Sequence, residues 1–225
     1  DFAVTDAFVD AVGQDTDVVF LCQPNNPTGR ITPPALVEKL LQRCAANGAV
    51  LAVDECFLDF AAGREALTAK AFLQEYPNLI LFKAFTKLYA MAGVRLGYAL
   101  CSDTALLKKM RAAGQPWAVS ALAQAAGTAA LDEAAYADAV RALVAQQRPV
   151  LTSGLRALGL RVIEGSANFL LFCAPADLGQ KLRQRGAVVR SCGNYPGLDD
   201  TWYRTAVRTE AENRQLLRLM KEVLE

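Results

Sequence analysis

Three short apolar runs constrain the fold more than any other feature of the sequence. Residues 17–22 read DVVFLC, residues 48–55 GAVLAVDE and residues 78–85 NLILFKAF. None alternates apolar with polar positions, so each suits a strand buried on both faces, as in a parallel sheet. Between the first two lies TPPALVEKLLQRCAANG (32–48), with prolines at its front, apolar residues at helical spacing and Asn-Gly at its end. Those are the start and stop signals of a helix. Strand, helix, strand is a βαβ unit, and it implies α/β architecture. GYALC (97–101) predicts one more short strand. It follows the third run too closely for a crossover helix, which points to antiparallel pairing.

The texture changes after Ser102. SDTALLKKMRAAG reads as a helix, and the alanine-rich stretch 120–159 as a helix pair broken near Leu131–Asp132. Residues 160–175 suggest two strands, 177–186 a helix, 187–190 a strand, 202–209 a strand and 210–225 a helix. That interleaving predicts a small α+β domain, with 1–145 and 146–225 as the two units.

The composition removes several kinds of function. With 53% hydrophobic and 21% charged residues the chain is globular. A net charge of +1 gives no footprint for nucleic acid, and no apolar run is long enough for a membrane span. The start, DFAVTDAFVD, has no signal-peptide pattern, and the six cysteines form no C-x-x-C pair. A cytoplasmic, reducing environment is expected. There is no histidine, so no Ser-His-Asp triad, Cys-His pair or His-ligated metal can be built. An enzyme of this composition needs Lys, Asp, Glu, Tyr or Cys as its base, or a cofactor.

Four residues stand at the ends of the apolar runs. CQPNNPTGR (22–30) is a turn-rich loop that is either a tight connection or a way of presenting Asn26 at the ligand-binding edge of a parallel sheet. In VDECF (53–57), Asp54 ends a buried strand, where a carboxylate needs a cationic partner or a turn to cap; Glu55 faces the other way. In FKAFTKLYAMAGVRLGY (82–98), Lys87 alone reads as a solvated charge, and Arg95 follows a small-residue turn. Together, amide, acid, lysine and arginine match the needs of pyridoxal 5'-phosphate. A lysine bonds the aldehyde, an acid keeps the ring nitrogen protonated, an amide donates to the ring 3-oxygen and an arginine pairs with the phosphate.

NNPTG, DE-x-F, FTK-x7-RLGY and YRTAVRTEAEN occur in one order along the chain, and together they resemble the pyridoxal-phosphate-dependent aminotransferases of class I/II, fold type I. The resemblance implies part of that family's large domain, a mainly parallel sheet flanked by helices, followed by its α+β small domain. It makes Lys87 the cofactor lysine, Asp54 the partner of the pyridine nitrogen, Asn26 the 3-oxygen donor and Arg95 a phosphate ligand. Arg204 falls where the family binds the substrate α-carboxylate, with Asn26 beside it. Phe57 stands where a tyrosine is common. Ala84 replaces a common phosphate-binding serine or threonine, and Thr86 retains a hydroxyl nearby. The family's N-terminal portion, with its glycine/serine phosphate loop and ring-stacking aromatic, has no counterpart here. That implies a site that the chain does not complete alone, or a catalytically silent fragment. The family is usually a homodimer.

DECFLDF, PWAVSALAQAA, VVRSCGNYPGLD and AVRT look more like the threonine-phosphate decarboxylase subgroup than the histidinol-phosphate aminotransferases. The first implies decarboxylation of L-threonine O-3-phosphate to aminopropanol phosphate in cobalamin synthesis; the second remains the alternative. Arg30, Arg190 and Arg208 are extra cations, either ordinary surface arginines or ligands of a small phosphorylated amino acid.

Overall fold

The computed structural model describes residues 2–225. A five-residue helix α1 (Asp6–Asp10) precedes β1 (Val18–Cys22), α2 (Pro34–Ala46) and β2 (Val50–Asp54). The short helix α3 (Arg64–Leu67) and two 3₁₀ turns lead to β3 (Leu79–Ala84), the single-turn α4 (Phe85–Leu88) and β4 (Gly97–Leu100). These strands form a sheet in the order β1-β2-β3-β4; β1, β2 and β3 are parallel and β4 is antiparallel. Both features agree with the apolar runs and their spacing.

Helix α2 shows why the first unit closes. Pro34 opens it, where an N–H has no intrahelical partner, and Gly48 turns the chain out at φ +71°. Val37, Leu40, Leu41 and Cys44 recur at helical spacing and are buried against Leu21, Leu51 and Val53 of the sheet. Burying each of the larger of these side chains contributes about 1.5–3 kcal/mol.

Helices α5 (Thr104–Ala113), α6 (Ala121–Leu131) and α7 (Ala134–Ala157) follow, and the expected break at Leu131–Asp132 separates the last two. Helix α7 runs through residues 145–146 without interruption. Strands β5 (Arg161–Ile163), β6 (Phe169–Cys173), β7 (Arg190–Ser191) and β8 (Trp202–Ala206) form a second, antiparallel sheet in the order β5-β6-β8-β7. Helices α8 (Leu178–Gln184) and α9 (Glu210–Leu224) cover it with the end of α7, around Leu151, Leu155, Phe172, Tyr203 and Met220. Thr209 and Glu212 close a capping box at the start of α9.

The strand expected at 187–190 is shorter than its sequence suggests. Gly186 turns at φ +78° and the Ala187 amide bonds back to the Leu182 carbonyl at 3.0 Å, so these residues finish α8 before pairing begins at Arg190.

A clamp of backbone joins the loop after β1 to the second sheet. The Ser166 amide donates to the Gly29 carbonyl at 2.7 Å, and the backbones of Gly29 and Gly165 touch. Arg148 of α7 holds the Gly165 carbonyl at 2.7 Å.

Candidate active site

The loop after β1 is fixed by its own hydrogen bonds. Asn25 donates from its amide nitrogen to the Arg30 carbonyl at 2.7 Å, Gly29 donates to the Asn25 carbonyl at 2.6 Å, and the Asn25 side chain donates to Thr28 at 2.9 Å. Gln23 and Thr32 exchange two further bonds of 2.8 Å each beneath it. This frame holds Asn26, whose Oδ1 accepts a hydrogen bond from Arg204 on β8.

From Arg204 a continuous line of contacts crosses to the first sheet. The guanidinium lies 5.0 Å from the centre of the Phe169 ring, Phe169 meets Phe57 edge-on at 5.0 Å, and the Lys87 amine sits 4.9 Å from the centre of the Phe57 ring. Lys87 stands in α4, one turn beyond β3, rather than on the strand itself. It is exposed, and Thr86 beside it is half-buried.

A cleft of about 600 Å³ opens along this line. Phe57, Lys87, Arg190 and Arg204 line it, together with Asn168, Phe169, Arg183, Ser191 and Thr205. Four of the lining side chains are cationic and none is acidic. Arg190 donates to Asn194 at 3.4 Å and is otherwise exposed.

The other expected residues lie around the cleft or away from it. Asn26 lies behind Arg204 and lines a separate groove with Phe8 and Tyr195. Asp54 is half-buried at the end of β2, in register with Cys22. Its Oδ1 accepts from the Cys56 amide at 2.9 Å, so it caps the turn after the strand. The cation expected beside it is absent from the ion pairs of the described residues. Arg95 is exposed at φ +59° and folds back onto the Ala92 carbonyl at 3.0 Å. Arg208 is not a lining residue of this cleft. It pairs at 2.6 Å with Glu212, four residues on in the first turn of α9, and this pairing helps bring the Glu212 carboxyl down to about 2.

Two groups on the first sheet went unrecognised in the sequence. The thiols of Cys22 and Cys56 flank Asp54. Burial and the nearby carboxylate push Cys22 up to about 11. Burial, a hydrogen bond to Asp54 and its charge push Cys56 up to about 12, with Lys87 pulling the other way. On the opposite face, Glu55 is fully buried; Thr68 and the Ala69 amide donate to it, and Lys83 reaches it at 3.4 Å and Asp59 at 3.1 Å. Burial alone would lower the Lys83 amine, but Asp59 and Glu55 outweigh it and hold the amine above the ordinary lysine range. Arg183 was also missed: on sequence alone it is one more charge at a helix end.

Residues 3–219 match the family Aminotransferase class I and II. The chain is 37% identical to threonine-phosphate decarboxylase of Salmonella typhimurium over 98% of its own length and 61% of that protein's. It is 35% identical to histidinol-phosphate aminotransferase of Symbiobacterium thermophilum over 97% of its length and 60% of that protein's. It therefore spans about three fifths of these curated relatives. Among solved structures, histidinol-phosphate aminotransferase of Sinorhizobium meliloti in complex with pyridoxal-5'-phosphate matches 97% of the chain, and the chain covers 60% of it, at 26% identity and TM-score 0.83.

Proposed function

Because the chain belongs to the class I and II aminotransferases, we propose that it holds pyridoxal phosphate and serves in decarboxylating L-threonine O-3-phosphate to aminopropanol phosphate. The observation that carries this reading is the four-cation, acid-free cleft beside Lys87, which suits a substrate with a carboxylate and a phosphate.

The residues fit the cofactor. A guanidinium can only donate, so Arg204 occupies the carbonyl oxygen of Asn26 and turns its amide nitrogen outward as a donor for the ring 3-oxygen. Asp54 accepts from the Cys56 amide through Oδ1, and its carboxylate retains acceptor capacity that would serve the pyridine nitrogen. Lys87, the one lysine lining the cleft among the described residues, would hold the cofactor through its aldehyde and carry protons at its amine, which Phe57 walls. Thr86 and Arg95, the latter by leaving the Ala92 carbonyl, would hold the cofactor phosphate, Arg204 the substrate carboxylate and Arg190 the substrate phosphate. Once bound, pyridoxal phosphate supplies the electron sink for breaking a bond at the substrate α-carbon. Which bond breaks depends on how Arg204 orients the carboxylate.

We assign residues 1–145 to the cofactor-binding unit and 146–225 to the small domain, in a cytoplasmic protein that is homodimeric when complete. A second reading is transamination of histidinol phosphate, which the 35% identity to such an aminotransferase favours. The full-length protein, given pyridoxal phosphate and O-phospho-L-threonine, separates the two. Release of carbon dioxide is the expected result. Amine transfer to 2-oxoglutarate without carbon dioxide would overturn the decarboxylase reading and support the second.

A further inference from the structure

Helix α8 and its C-cap carry three basic residues, at positions 181, 183 and 185, and they behave differently. Lys181 pairs with Asp177 at 2.9 Å, and Arg185 pairs with Glu222 at 3.0 Å. Arg183 is exposed and lines the cleft, and its guanidinium makes no hydrogen bond or ion pair with another described residue. A cation in the last turn of a helix gains a little from the helix dipole, and that would account for any basic residue here. It does not account for the one unpaired member of the three being the one that lines the cleft.

The other cations of the cleft have calls upon them. Arg204 is tied to Asn26 and lies over Phe169, and Lys87 is the residue proposed to bond the cofactor. Arg190 holds Asn194 at a weak 3.4 Å. A single carboxylate needs only one arginine. Arg183 and Arg190 are then in excess for an ordinary amino acid, but match a substrate with a dianionic group at its far end. Arginine suits that task better than lysine, since its planar fork meets two phosphate oxygens at once.

We propose that Arg183 is a specificity-determining residue that, with Arg190, grips the terminal phosphate of the substrate and so selects phosphorylated over unphosphorylated amino acids. The proposal rests on the substrate reading given above.

Titration calorimetry on the 225-residue chain without added cofactor tests it, with O-phospho-L-threonine and L-threonine as probes. Arg183→Ala is expected to weaken O-phospho-L-threonine on the order of tenfold, the lower end for an exposed charge-assisted contact. Binding of L-threonine and the melting temperature should stay unchanged. Arg183→Lys should recover part of the loss, and Arg183→Ala should flatten the dependence of phosphothreonine binding on salt. If the unaltered chain prefers the phosphorylated ligand and Arg190→Ala abolishes the preference while Arg183→Ala leaves it intact, Arg183 has no such role and the substrate reading survives. If the unaltered chain shows no preference for O-phospho-L-threonine over L-threonine, the substrate reading and this inference fall together.

Discussion

Substituting Gly165 by alanine tests whether the contact with Gly29 couples the two sheets. A Cβ on Gly165 would lie 2.8 Å from three backbone atoms of Gly29, its Cα, carbonyl carbon and oxygen. Carbon atoms ordinarily approach to about 3.5–4.0 Å, so the two segments must part by about 0.7 Å or more. Neither side can yield by turning a side chain. Gly29 is held by its bond to Asn25 at 2.6 Å, and Gly165 by Arg148 at 2.7 Å. Parting them would stretch the 2.7 Å bond from Ser166 to Gly29 beyond the usual limit of about 3.2 Å. Overpacking costs about 1–3 kcal/mol and the lost hydrogen bond about 1 kcal/mol. The less flexible unfolded chain returns about 0.4–1 kcal/mol. A net loss of about 2 kcal/mol follows, and for a chain of this size it lowers the melting temperature by about 4–8 °C. Gly93→Ala is the control, because nothing lies within 4 Å of its added Cβ. Circular dichroism melts of both variants decide the matter. Equal melting temperatures for Gly165→Ala and Gly93→Ala would refute the close-contact reasoning.

Glu55→Ala strips a fully buried carboxylate from Lys83, Thr68 and the Ala69 amide, at an expected cost of roughly 3 kcal/mol in urea unfolding; a midpoint equal to that of the unaltered chain would contradict this. The Lys83 amine is raised in the folded chain, so its contribution is present at neutral pH and is lost as pH rises past the ordinary 10.5 and through the folded value. Cys22 and Cys56 are raised too, so their contributions are present below pH 9 and fade above it, and melts between pH 8 and about 10 should fall less steeply in Cys56→Ala. The same shifts keep both thiols protonated at pH 8, so peptide mapping after brief iodoacetamide treatment should find them largely unmodified; rapid labelling of either one would count against the burial argument. Borohydride reduction of the chain with pyridoxal phosphate should leave the cofactor's mass on Lys87 and on no other lysine, and a label elsewhere that persists in Lys87→Ala would displace Lys87 from its proposed role.

What the sequence made legible was local. The apolar runs carry their own strand signal, and Pro34 and Gly48 bound α2 within a few residues of where composition puts them. Lys87 and Asp54 could be picked out because each closes such a run. The contacts that escaped notice join distant segments. Glu55 meets Lys83 across two parallel strands, and Gly29 meets Gly165 across two sheets. A glycine needed for close approach looks in sequence like a glycine needed for a turn. Arg183 and Arg208 illustrate the same limit among charges. In sequence each is one arginine among other charged residues, and only the fold reveals that one lines the cleft while the other pairs with Glu212 in the first turn of α9.

The bond between Arg204 and Asn26 ties the second sheet to the loop after β1. Each residue has its own local rationale, one in a turn-rich loop and the other on a strand of the second sheet, 178 positions away. An asparagine amide offers an acceptor and a donor on opposite arms, and rotation of χ2 exchanges them. Because Arg204 can only donate, its presence selects one of the two orientations and thereby decides which arm of Asn26 faces away. A carboxylate in place of Arg204 would select the other. The chemistry Asn26 can offer is therefore set by a residue on the second sheet, through a junction whose spacing the paired glycines fix. Moving the two sheets apart would strain the bond that orients Asn26, so the glycine contact is linked to Arg204, and through it to the cleft, by a single hydrogen bond.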